Sequence, residues 1–519
     1  MYKYAIIRLI DMKKIVSVLV SLLLVEVSFS QQQGFFKVFE DQTKSQMVET
    51  AIEANNGGFF FTQYDANFNS KCDIVKLSED GNVLKRVEID LFPSATYTCS
   101  HITGIYHDIQ NPDMYLAIGM NIDVPNMFAR PFVIHFDEDL NITFTREIDL
   151  PEQYRALETS ACQMTHDGKF IFVSEVIDQQ KRLYMLISPD GDLDKLHEDS
   201  QDAGLYIGSL FEYPEGNRYG HYRQSFFRPP NPLVTTRLFT LDENFDTIAS
   251  KEFTAVVYDT IGNEIYRFSL DPIELPTVKV LGDTALLFCD RIRETRFAGT
   301  QSHQEKSTLL FKTDLSGNIL DYHILGSWNN YNDLPALGQA FDFTRDPLTS
   351  QRQLYVFCER YDIDDAYYSG PNSVILTKMD EDGNVVWQNS YSLPSALMKA
   401  RYVLATRDGG CFVMGDCKKN SEYDVFAIKV DSEGSVGIDE VSPRPFTYYP
   451  NPTRNELHLK HSPDVQPVQV ELYDLQGRLV HTQRSNFEHI DMSQLPAGTY
   501  TMRVTWEDGK AYSDKVVKE

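Results

Sequence analysis

Several features that define other protein classes are scarce or absent in this 519-residue sequence. The seven cysteines include no Cys-x-x-Cys pair and no Cys/His cluster at metal-ligand spacing, so the sequence predicts no metal site. Beyond the N-terminus, no apolar stretch approaches the ~20 residues that span a bilayer as a helix. Basic residues are also few: 48 Lys and Arg stand against 75 Asp and Glu, and the net charge of −27 disfavours nucleic-acid binding.

The sequence motifs of common enzymes are missing as well. There is no His-Glu-x-x-His, no Gly-x-Ser-x-Gly, no phosphate-binding loop and no dinucleotide fingerprint, and we predict no cofactor. Two segments that resemble calcium loops, 79–82 and 380–384, lack the alternating ligands and the distal Glu of such loops. We interpret His101 and His221 as solvated or hydrogen-bonded loop residues.

The cysteines do not define a disulfide framework, because an odd number leaves at least one thiol unpaired. Cys411 and Cys417 are close in sequence. If one strand contains both, their Cα atoms lie about 20 Å apart, which is beyond disulfide reach. We expect most of the cysteines to be small buried residues.

The N-terminus predicts a cleaved secretion signal over residues 1–30. A positively charged region comes first, made of Lys3, Arg8, Lys13 and Lys14. An apolar run at 15–25 follows, and the small residue Ser30 precedes the expected cleavage point. This run is shorter than a membrane-spanning helix, so we expect an exported mature chain with no transmembrane segment. An N-terminal anchor helix is the alternative.

The central part of the sequence is an internal repeat. Seven segments each combine an apolar strand, a second strand that ends in an acidic residue, a tight turn and a further strand. The turns are centred at Gly81, Asp139, Gly191, Asn244, Gly317, Gly383 and Gly434. A weaker strand with a Gly-rich turn precedes each segment, which gives four strands per unit.

This repeat, with no helical periodicity, predicts an all-β fold: a β-propeller of about seven four-stranded blades over residues 31–440. Six or eight blades are the alternatives, since 253–281 has room for extra strands. A small residue recurs in the first apolar strand of five units, usually before an acidic or polar residue: Gly119, Ser174, Cys289, Cys358 and Gly415. We interpret it as a sign of close packing between neighbouring sheets.

In a propeller, the short turns lie on one face and the connections between the second and third strands lie on the other. These connections vary in length, and long ones are predicted at 213–232, 292–306 and 361–372. Variable loops on a rigid scaffold commonly carry binding sites, so we place the ligand site on this face.

The candidate ligand-binding residues are the aromatic and basic side chains of 213–228: Tyr213, Arg218, Tyr219, His221, Tyr222, Arg223, Phe226, Phe227 and Arg228. Such a patch suits sugar rings or an acidic peptide. Recognition requires at least two of the rings to be exposed; the alternative is a loop pinned by its own aromatic residues.

Beyond Val441, short runs of alternating β pattern predict a small Ig-like β-sandwich over residues 441–519. Within them, Val468, Val470 and Leu472 are spaced as the buried face of one strand.

Four motifs lie in order in this segment: Tyr449–Pro452, Glu471–Val480, Ile490–Val504 and Lys515–Lys518. Together they closely resemble the type A sorting domain of the type IX secretion system found in Bacteroidota. The residues that carry the resemblance are Pro450, Asn451, Pro452, Asp474, Gly477, Arg478, Pro496, Gly498, Tyr500 and Lys515.

The resemblance implies that the type IX secretion machinery is a partner of this chain. It also implies transit through the periplasm, passage across the outer membrane, and removal of the domain on release or on attachment to surface lipopolysaccharide. The alternative is an ordinary accessory Ig-like domain.

We therefore predict a secreted or outer-membrane-attached β-propeller that binds a protein or a glycan through long loops, and we favour a binding protein over an enzyme. The alternative is an enzyme that degrades an extracellular polysaccharide or peptide, with carboxylates from several blades converging on the channel. Glu49, Glu53 and Glu158 are the candidates. A clustered pair with raised pKa values would favour the enzyme.

Overall fold

The structure is a computed structural model. It describes residues 34–40, 45–65, 71–90, 99–123, 128–154, 157–176, 181–199, 208–226, 234–253, 256–261, 264–270, 276–298, 301–326, 331–345, 351–363, 365, 370–419, 422–436, 446–451, 453–461, 467–474, 478–487, 489–506 and 511–519. The predicted secretion signal lies outside these residues. The chain divides into two compact units, the first ending at Ile438 and the second beginning at Asp439.

The first unit begins with strand β1 (Phe35–Phe39) and continues with four sheets of four strands. Sheet 1 contains β2 (Gln46–Glu53), β3 (Phe59–Asp65), β4 (Asp73–Leu77) and β5 (Val83–Glu88); sheet 2 contains β6 (Cys99–His107), β7 (Met114–Asp123), β8 (Phe128–Asp137) and β9 (Ile142–Glu147). Sheet 3 contains β10 (Leu157–Met164), β11 (Phe170–Val176), β12 (Lys181–Ile187) and β13 (Leu193–Asp199); sheet 4 contains β14 (Ser209–Glu212), β15 (Tyr219–Phe226), β16 (Val234–Leu241) and β17 (Thr247–Phe253).

Three further sheets complete the first unit. Sheet 5 contains β18 (Val256–Ile261), β19 (Glu264–Leu270), β20 (Thr277–Leu281), β21 (Ala285–Ala298), β22 (Gln301–Asp314) and β23 (Ile319–Leu325). Sheet 6 contains β24 (Tyr331–Pro335), β25 (Phe341–Arg345), β26 (Arg352–Asp362), β27 (Ser373–Met379) and β28 (Val385–Tyr391); sheet 7 contains β29 (Leu397–Ala405), β30 (Cys411–Lys419), β31 (Glu422–Val430) and β1. The described residues contain one short helical element, a 3-10 turn at Glu152–Tyr154.

The seven sheets form a closed ring. Innermost strands of neighbouring sheets contact one another in order from β2 to β6, β10, β14 and β20; sheet 5 then contacts β24, β25 contacts β29, and β29 returns to β2. Sheets arranged radially in this way make a β-propeller fold. In the described part of the chain, no helix has the length and apolarity needed to cross a membrane.

The ring closes by pairing the two ends of the first unit. The repeat pattern predicts an outer strand directly after the Gly434 turn, but the outer strand of sheet 7 is instead β1, with Phe35 opposite Lys429 and Phe39 opposite Val425. Pairing of the first strand with the last sheet gives β31 a partner on its outer edge.

The tight turns lie together on one end of the sheets, which we call the turn face. A side chain on an outer strand bonds to the turn of the next sheet at six of the seven junctions: Lys37 Nζ to Asn82 Oδ1 (2.8 Å), Lys85 Nζ to Asn141 Oδ1 (2.8 Å), Arg146 Nη1 to Asp192 Oδ1 (2.8 Å), Lys195 Nζ to Glu243 O (2.6 Å), Lys251 Nζ to Asn318 Oδ1 (3.2 Å) and Asn389 Nδ2 to Gly434 O (2.7 Å). The opposite end is called the loop face.

Each of the seven turns needs one residue with left-handed backbone. Glycine takes this position in five turns, but Leu140 (φ 55°) and Phe245 (φ 68°) take it in the other two, one residue after the predicted centres Asp139 and Asn244. A left-handed conformation costs a residue with a Cβ about 1–2 kcal/mol. Both side chains are buried in the hydrophobic cores between sheets, and this burial offsets the cost.

Two of the long loops predicted from the sequence are wrong. The segment 213–232 contains a short turn and strand β15, which pairs with both β14 and β16. The segment 292–306 belongs to the long hairpin of β21 and β22, which β18 and β19 extend at the side. The room for extra strands in 253–281 is taken by β18, β19 and β20. Polar and charged residues predominate in 219–226 and 292–306, so no alternating pattern marks these strands in the sequence.

The small residue that recurs in the second strand of the sheets has two causes. A Cβ atom on Gly119 would lie 1.9 Å from His101 O, and one on Gly415 would lie 2.0 Å from Lys399 O, each in the innermost strand of the same sheet beside the β-bulges at Ile102/Gly104 and Ala400/Tyr402. At these two glycines the small residue accommodates a bulge within its own sheet. At Ser174 and Cys358 the side chain contacts the neighbouring sheet, as predicted: Ser174 Oγ lies 3.8 Å from Met120 Sδ, and Cys358 Sγ lies 3.2 Å from Thr308 Oγ1.

Cysteines contribute to the cores, as expected. Cys72, Cys289, Cys358, Cys411 and Cys417 are buried, and Cys411 and Cys417 lie in the same strand, β30. Burial raises the pKa of the Cys358 thiol to about 12. A buried thiol with a raised pKa is chemically inert.

The second unit has seven described strands in two sheets. They are β32 (Phe446–Tyr449), β33 (Glu456–His461), β34 (Pro467–Tyr473), β35 (Leu479–Gln483), β36 (Ile490–Asp491), β37 (Gly498–Trp506) and β38 (Ala511–Lys518), in the orders β32-β33-β36 and β35-β34-β37-β38. One hydrophobic core includes Val470, Leu472 and Trp506. Val468, predicted to share the buried face, is 42% exposed because the pairing of β34 shifts between Pro467 and Gln469.

Candidate functional site

A cavity of about 550 Å³ lies between the innermost strands of the propeller. Every sheet contributes to its wall, for example through Ala51, Ile105, Cys162, Leu210, Val278, Phe343 and Tyr402. Because each sheet supplies only a few residues, the chemistry of this cavity depends on side chains that are distant in sequence.

Three pairs of an acidic and a basic residue surround the cavity, and each pair joins two neighbouring sheets. Glu49 Oε2 lies 3.4 Å from His101 Nδ1, Glu212 Oε2 lies 2.7 Å from His166 Nδ1, and Asp342 Oδ1 lies 2.6 Å from Lys279 Nζ. The carboxylates of all three pairs line the cavity.

Backbone groups fix two of these carboxylates. Glu212 accepts hydrogen bonds from the backbone N–H groups of His166 (2.6 Å) and Asn217 (3.0 Å), and Asp342 Oδ2 accepts one from Ala405 N–H (2.9 Å). Glu49 Oε2 is buried, and it accepts no hydrogen bond from the described residues although it lies 3.4 Å from His101 Nδ1.

A network of charged side chains joins sheets 6, 7 and 1 beside the loop-face end of the cavity. Asp416, which is 0% exposed on β30, accepts hydrogen bonds from Val48 N–H in sheet 1 (2.8 Å) and from Arg401 Nε (2.5 Å). Burial raises the pKa of this carboxyl group. Asp416 thus connects the last sheet with the first.

Glu359 has the same role one junction earlier. Its Oε1 accepts a hydrogen bond from Ala400 N–H in sheet 7 (2.9 Å), and its Oε2 accepts one from Tyr361 OH (2.6 Å) and lies 3.3 Å from Lys399 Nζ. Burial raises the pKa of Glu359 as well. Arg360, the next residue, forms a bidentate pair with Asp333 at 2.7 Å for both bonds.

In this network the basic groups reach solvent and the acidic groups do not. The side chains of Arg360, Lys399 and Arg401 are 21%, 22% and 18% exposed, whereas Glu359 and Asp416 are 4% and 0% exposed. We call Arg360, Lys399 and Arg401 the loop-face cations. They present hydrogen-bond donors in fixed positions, which suits hydroxyl, carbonyl or carboxylate groups of a ligand.

The residues predicted from 213–228 do not form an exposed patch. Tyr213, Tyr219 and Tyr222 are buried, so the requirement for two exposed rings fails for these three tyrosines. Tyr219 packs on Phe245 (ring centroids 5.0 Å apart), and Tyr222 packs on Phe288 (4.8 Å). A radial sheet is covered on both faces by its neighbours, and this is why Tyr219 and Tyr222, on opposite faces of β15, are both buried.

The polar residues of the same segment are mostly interior too. His221, predicted to be a loop residue, is buried in β15, where its Nδ1 lies 2.7 Å from Tyr184 OH and burial lowers its pKa well below the ordinary value. Arg223 is buried, and its guanidinium lies 3.9 Å from the centre of the Phe239 ring. Arg218 is partly exposed and pairs with Glu215 at 2.5 Å.

Other members of the predicted patch lie at the edge of the described residues. Phe226 ends β15, and nothing is described of its side chain. Phe227 and Arg228 lie outside the described residues.

The three predicted carboxylates, Glu49, Glu53 and Glu158, are not brought together as a described cluster in the structure. Glu49 lines the cavity. Glu53 lies at the turn-face end of the same strand, 3.3 Å from Arg407, and burial raises its pKa. Glu158 is in β10, but its side chain lies outside the described residues. The carboxylates with raised pKa values in the described part of the chain therefore do not form the predicted pair on different first strands.

Most of the charged residues of this site were not predicted from the sequence. Glu359 and Asp416 follow the small residues Cys358 and Gly415, and that recurring small-then-acidic pattern was the available signal. No sequence pattern indicated Lys399 and Arg401, the partners of Glu359 and Asp416, because their roles depend on contacts with other sheets.

Several residues of the sorting motifs are structural in the second unit. Asn451 Oδ1 accepts a hydrogen bond from Val517 N–H (2.8 Å), Asp474 pairs with Arg478 (2.7 Å), and Tyr500 OH donates to Pro496 O (2.6 Å). The Tyr449–Pro450 peptide bond is cis, and Gly498 begins β37.

Nothing is described of the side chains of three further residues of these motifs. Lys515 lies in β38 with its side chain undescribed, whereas Pro452 and Gly477 lie outside the described residues.

Comparison with known families identifies the second unit. Residues 447–519 match the family described as "Secretion system C-terminal sorting domain". This match supports the type IX assignment made from the motifs and indicates that the chain is secreted by that system. None of the curated proteins compared with this sequence matches it.

Solved structures with a similar arrangement have very different sequences. A protein of unknown function from Dyadobacter fermentans is 10% identical with a TM-score of 0.39, covering 77% of this chain and 98% of its own. The β-propeller domain of the Trilobed protease from Pyrococcus furiosus is 8% identical with a TM-score of 0.37 (79% and 99% covered). The α-L-arabinofuranosidase Arb93A from Fusarium graminearum is 10% identical with a TM-score of 0.36 (77% and 97% covered). None of their activities is attributed to this chain.

Proposed function

We propose that this chain is an exported ligand-binding protein of Bacteroidota. The secretion signal at 1–30 is removed, the sorting domain at 441–519, an Ig-like sandwich, engages the type IX machinery, and the product is secreted or attached to the outer membrane. Residues 31–440 are a seven-bladed propeller, one blade for each of sheets 1 to 7, and this propeller carries the binding site. The match of residues 447–519 to a sorting domain supports the export part of the proposal.

The ligand binds at the loop-face end of the axial cavity, not at 213–228. The observation that carries this part is the set of three loop-face cations. They do not line the cavity of about 550 Å³ themselves, but Arg401 O accepts hydrogen bonds from the backbone N–H groups of Gly338 and Gln339 in its wall (2.9 Å each). Their buried carboxylate partners hold the cations in place before a ligand arrives, which lowers the ordering cost of binding. Glu49 and His101 complete the mouth of the cavity with an acceptor and an imidazole. Such a mixed set of donors and acceptors fits the hydroxyl groups of a glycan or the backbone of a peptide.

A binding screen tests this site. The mature chain is applied to arrays of glycans and of extracellular peptides, together with Lys399→Gln and the control Lys251→Gln, which removes a lysine on the turn face. We expect Lys399→Gln to weaken binding of any hit at least tenfold and Lys251→Gln to leave it unchanged. Equal binding by both variants would remove the loop-face mouth from consideration.

An enzyme acting on an extracellular polymer is the second candidate. The observation in its favour is that Glu49, Glu212 and Asp342, from three different sheets, all line the cavity. Polysaccharides and peptides that bind are incubated with the wild type and with Glu49→Gln, and the products are analysed by mass spectrometry. Cleavage that disappears in Glu49→Gln would establish the enzyme; intact ligand with retained binding would establish the binding protein.

A further inference from the structure

The second unit carries a cluster of three metal-ligand side chains outside the sorting motifs: Glu456, His458 and His489. Strand β33 alternates: Leu457 and Leu459 are buried in the hydrophobic core of this unit, so Glu456 and His458 lie on the opposite, outward face. This places one carboxylate and one imidazole on the same side of a single strand.

The pairing of β33 with β36 adds a second imidazole. Glu456 is opposite Asp491 and Leu457 is opposite Ile490, so His489 lies next to His458 on the neighbouring chain segment. The two imidazole rings are 5.0 Å apart between centroids, and His489 Nδ1 lies 2.6 Å from Glu456 Oε1. One ligand atom from each of the three side chains lies within 4.8 Å of the other two.

We propose that Glu456, His458 and His489 bind a zinc ion. Two imidazoles and one carboxylate are a known zinc donor set, with the fourth position open for water. Around a tetrahedral ion with bonds of about 2.0–2.1 Å, ligand atoms lie roughly 3.3 Å apart, so the present separations need only small side-chain movements. The side chains of His489 and Glu456 are 52% and 48% exposed, which leaves room for these movements and for entry of the ion.

The ion would join two segments that are otherwise held by few bonds. Strand β36 is two residues long, and these are the first two residues of the sorting motif at 490–504. Glu456 and His458 of β33 and His489, next to β36, would bind the same ion, and the ion would thereby link the sorting motif to β33. Zinc binding is therefore expected to stabilise the sorting unit.

Calorimetry with zinc chloride on the full-length protein tests the site. We compare the wild type with His458→Ala, His489→Ala and the control His481→Ala, which removes a histidine of β35 in the other sheet. At pH 7.5 we expect one site per chain whose affinity falls at least tenfold in the two site variants and is unchanged in the control.

A second variant and a second measurement keep the test decisive if an alanine variant folds poorly. Glu456→Gln keeps the size of the side chain and should also weaken zinc binding. In a Trp328→Phe/Trp387→Phe background, where Trp506 fluorescence reports the sorting unit alone, zinc should raise the melting temperature when the site is intact but not in the site variants. Wild-type affinity in a His458→Ala/His489→Ala double variant, or no zinc binding by the wild type at 100 micromolar (about a hundred times a micromolar dissociation constant), would overturn the proposal.

Discussion

Asp416 is predicted to be a main contributor to closure of the propeller. It belongs to sheet 7, yet its carboxylate accepts the N–H of Val48 in sheet 1, which is 368 residues away in sequence. Replacement by alanine leaves that N–H without its acceptor and leaves Arg401 without its carboxylate. We expect Asp416→Ala to open the junction between the two sheets more readily than any change on the outer strands.

The magnitude follows from the burial of the partners. Removing one partner of a buried ion pair costs about 3–5 kcal/mol, and a buried N–H without an acceptor costs about 1–3 kcal/mol. Arg401 is 18% exposed, so water solvates part of its charge and the lower end of the first range applies. We therefore expect a loss of about 4–6 kcal/mol in total.

Asparagine at the same position separates the effect of the charge from that of the acceptor. Burial raises the pKa of Asp416, which means that the folded protein stabilises its charge less well than water does. Asp416→Asn keeps an oxygen for Val48 N–H, but its NH2 group replaces the oxygen that accepts from Arg401 Nε, so this variant loses the charge and that hydrogen bond. We expect it to be less stable than the wild type but to recover, relative to Asp416→Ala, the roughly 1–3 kcal/mol of the Val48 hydrogen bond.

The assay is equilibrium unfolding in urea, followed by tryptophan fluorescence in a Trp506→Phe background. The other tryptophans, Trp328 and Trp387, both lie in the first unit, so the signal reports the propeller alone. Glu252→Ala is the control, because it breaks an exposed pair with Arg237 and should cost less than about 1 kcal/mol. The reasoning is refuted if Asp416→Ala resembles this control, or if Asp416→Asn is as damaging as Asp416→Ala.

Three further outcomes are expected. Tyr219→Ala and Tyr222→Ala should each reduce the free energy of unfolding by about 3–5 kcal/mol, since both rings are core residues, and values under about 0.5 kcal/mol in urea titrations would restore an exposed role. Hydrogen bonds from Asn318 hold the pKa of Asp314 below its ordinary value, so its stabilising effect is present above pH 3.8 and is lost as the pH falls through the lower folded pKa; Asp314→Ala should flatten the acid limb of stability measured against pH. Deletion of 446–519 should leave a folded propeller in the periplasm, and its appearance in the medium on fractionation would contradict the sorting role.

The features that could be predicted from the sequence are the local ones. A tight turn imposes its own requirements on a few neighbouring residues, so positions such as Gly191 and Gly383 mark turns without knowledge of the rest of the chain. The strands of the second unit lie where alternation predicts them for the same reason. Even local patterns fail where tertiary burial replaces the usual residue, as at Leu140 and Phe245, whose left-handed backbone is supported by core packing.

The patch predicted at 213–228 shows why composition can mislead about exposure. Tyrosines, histidine and arginines in one segment are typical of a binding surface, but they are equally suited to a strand enclosed by two neighbouring sheets. In that setting polar groups find partners inside the protein: Tyr222 OH donates to Asp290, and His221 Nδ1 lies 2.7 Å from Tyr184 OH. Only the position of β15 between sheets 3 and 5 distinguishes the two cases, and that position is a property of the whole ring.

The net charge of the chain is also a poor guide to its binding face. Summed over the sequence the charge is −27, which would predict a ligand that avoids anionic groups. At the loop-face mouth, however, the acidic groups Glu359 and Asp416 are inside the protein and their basic partners Lys399 and Arg401 are at its surface. A ligand there contacts the hydrogen-bond donors of the cations first, and the buried carboxylates act on it only through these cations. For this reason the ligand arrays should include acidic glycans and acidic peptides, which the composition alone would have excluded.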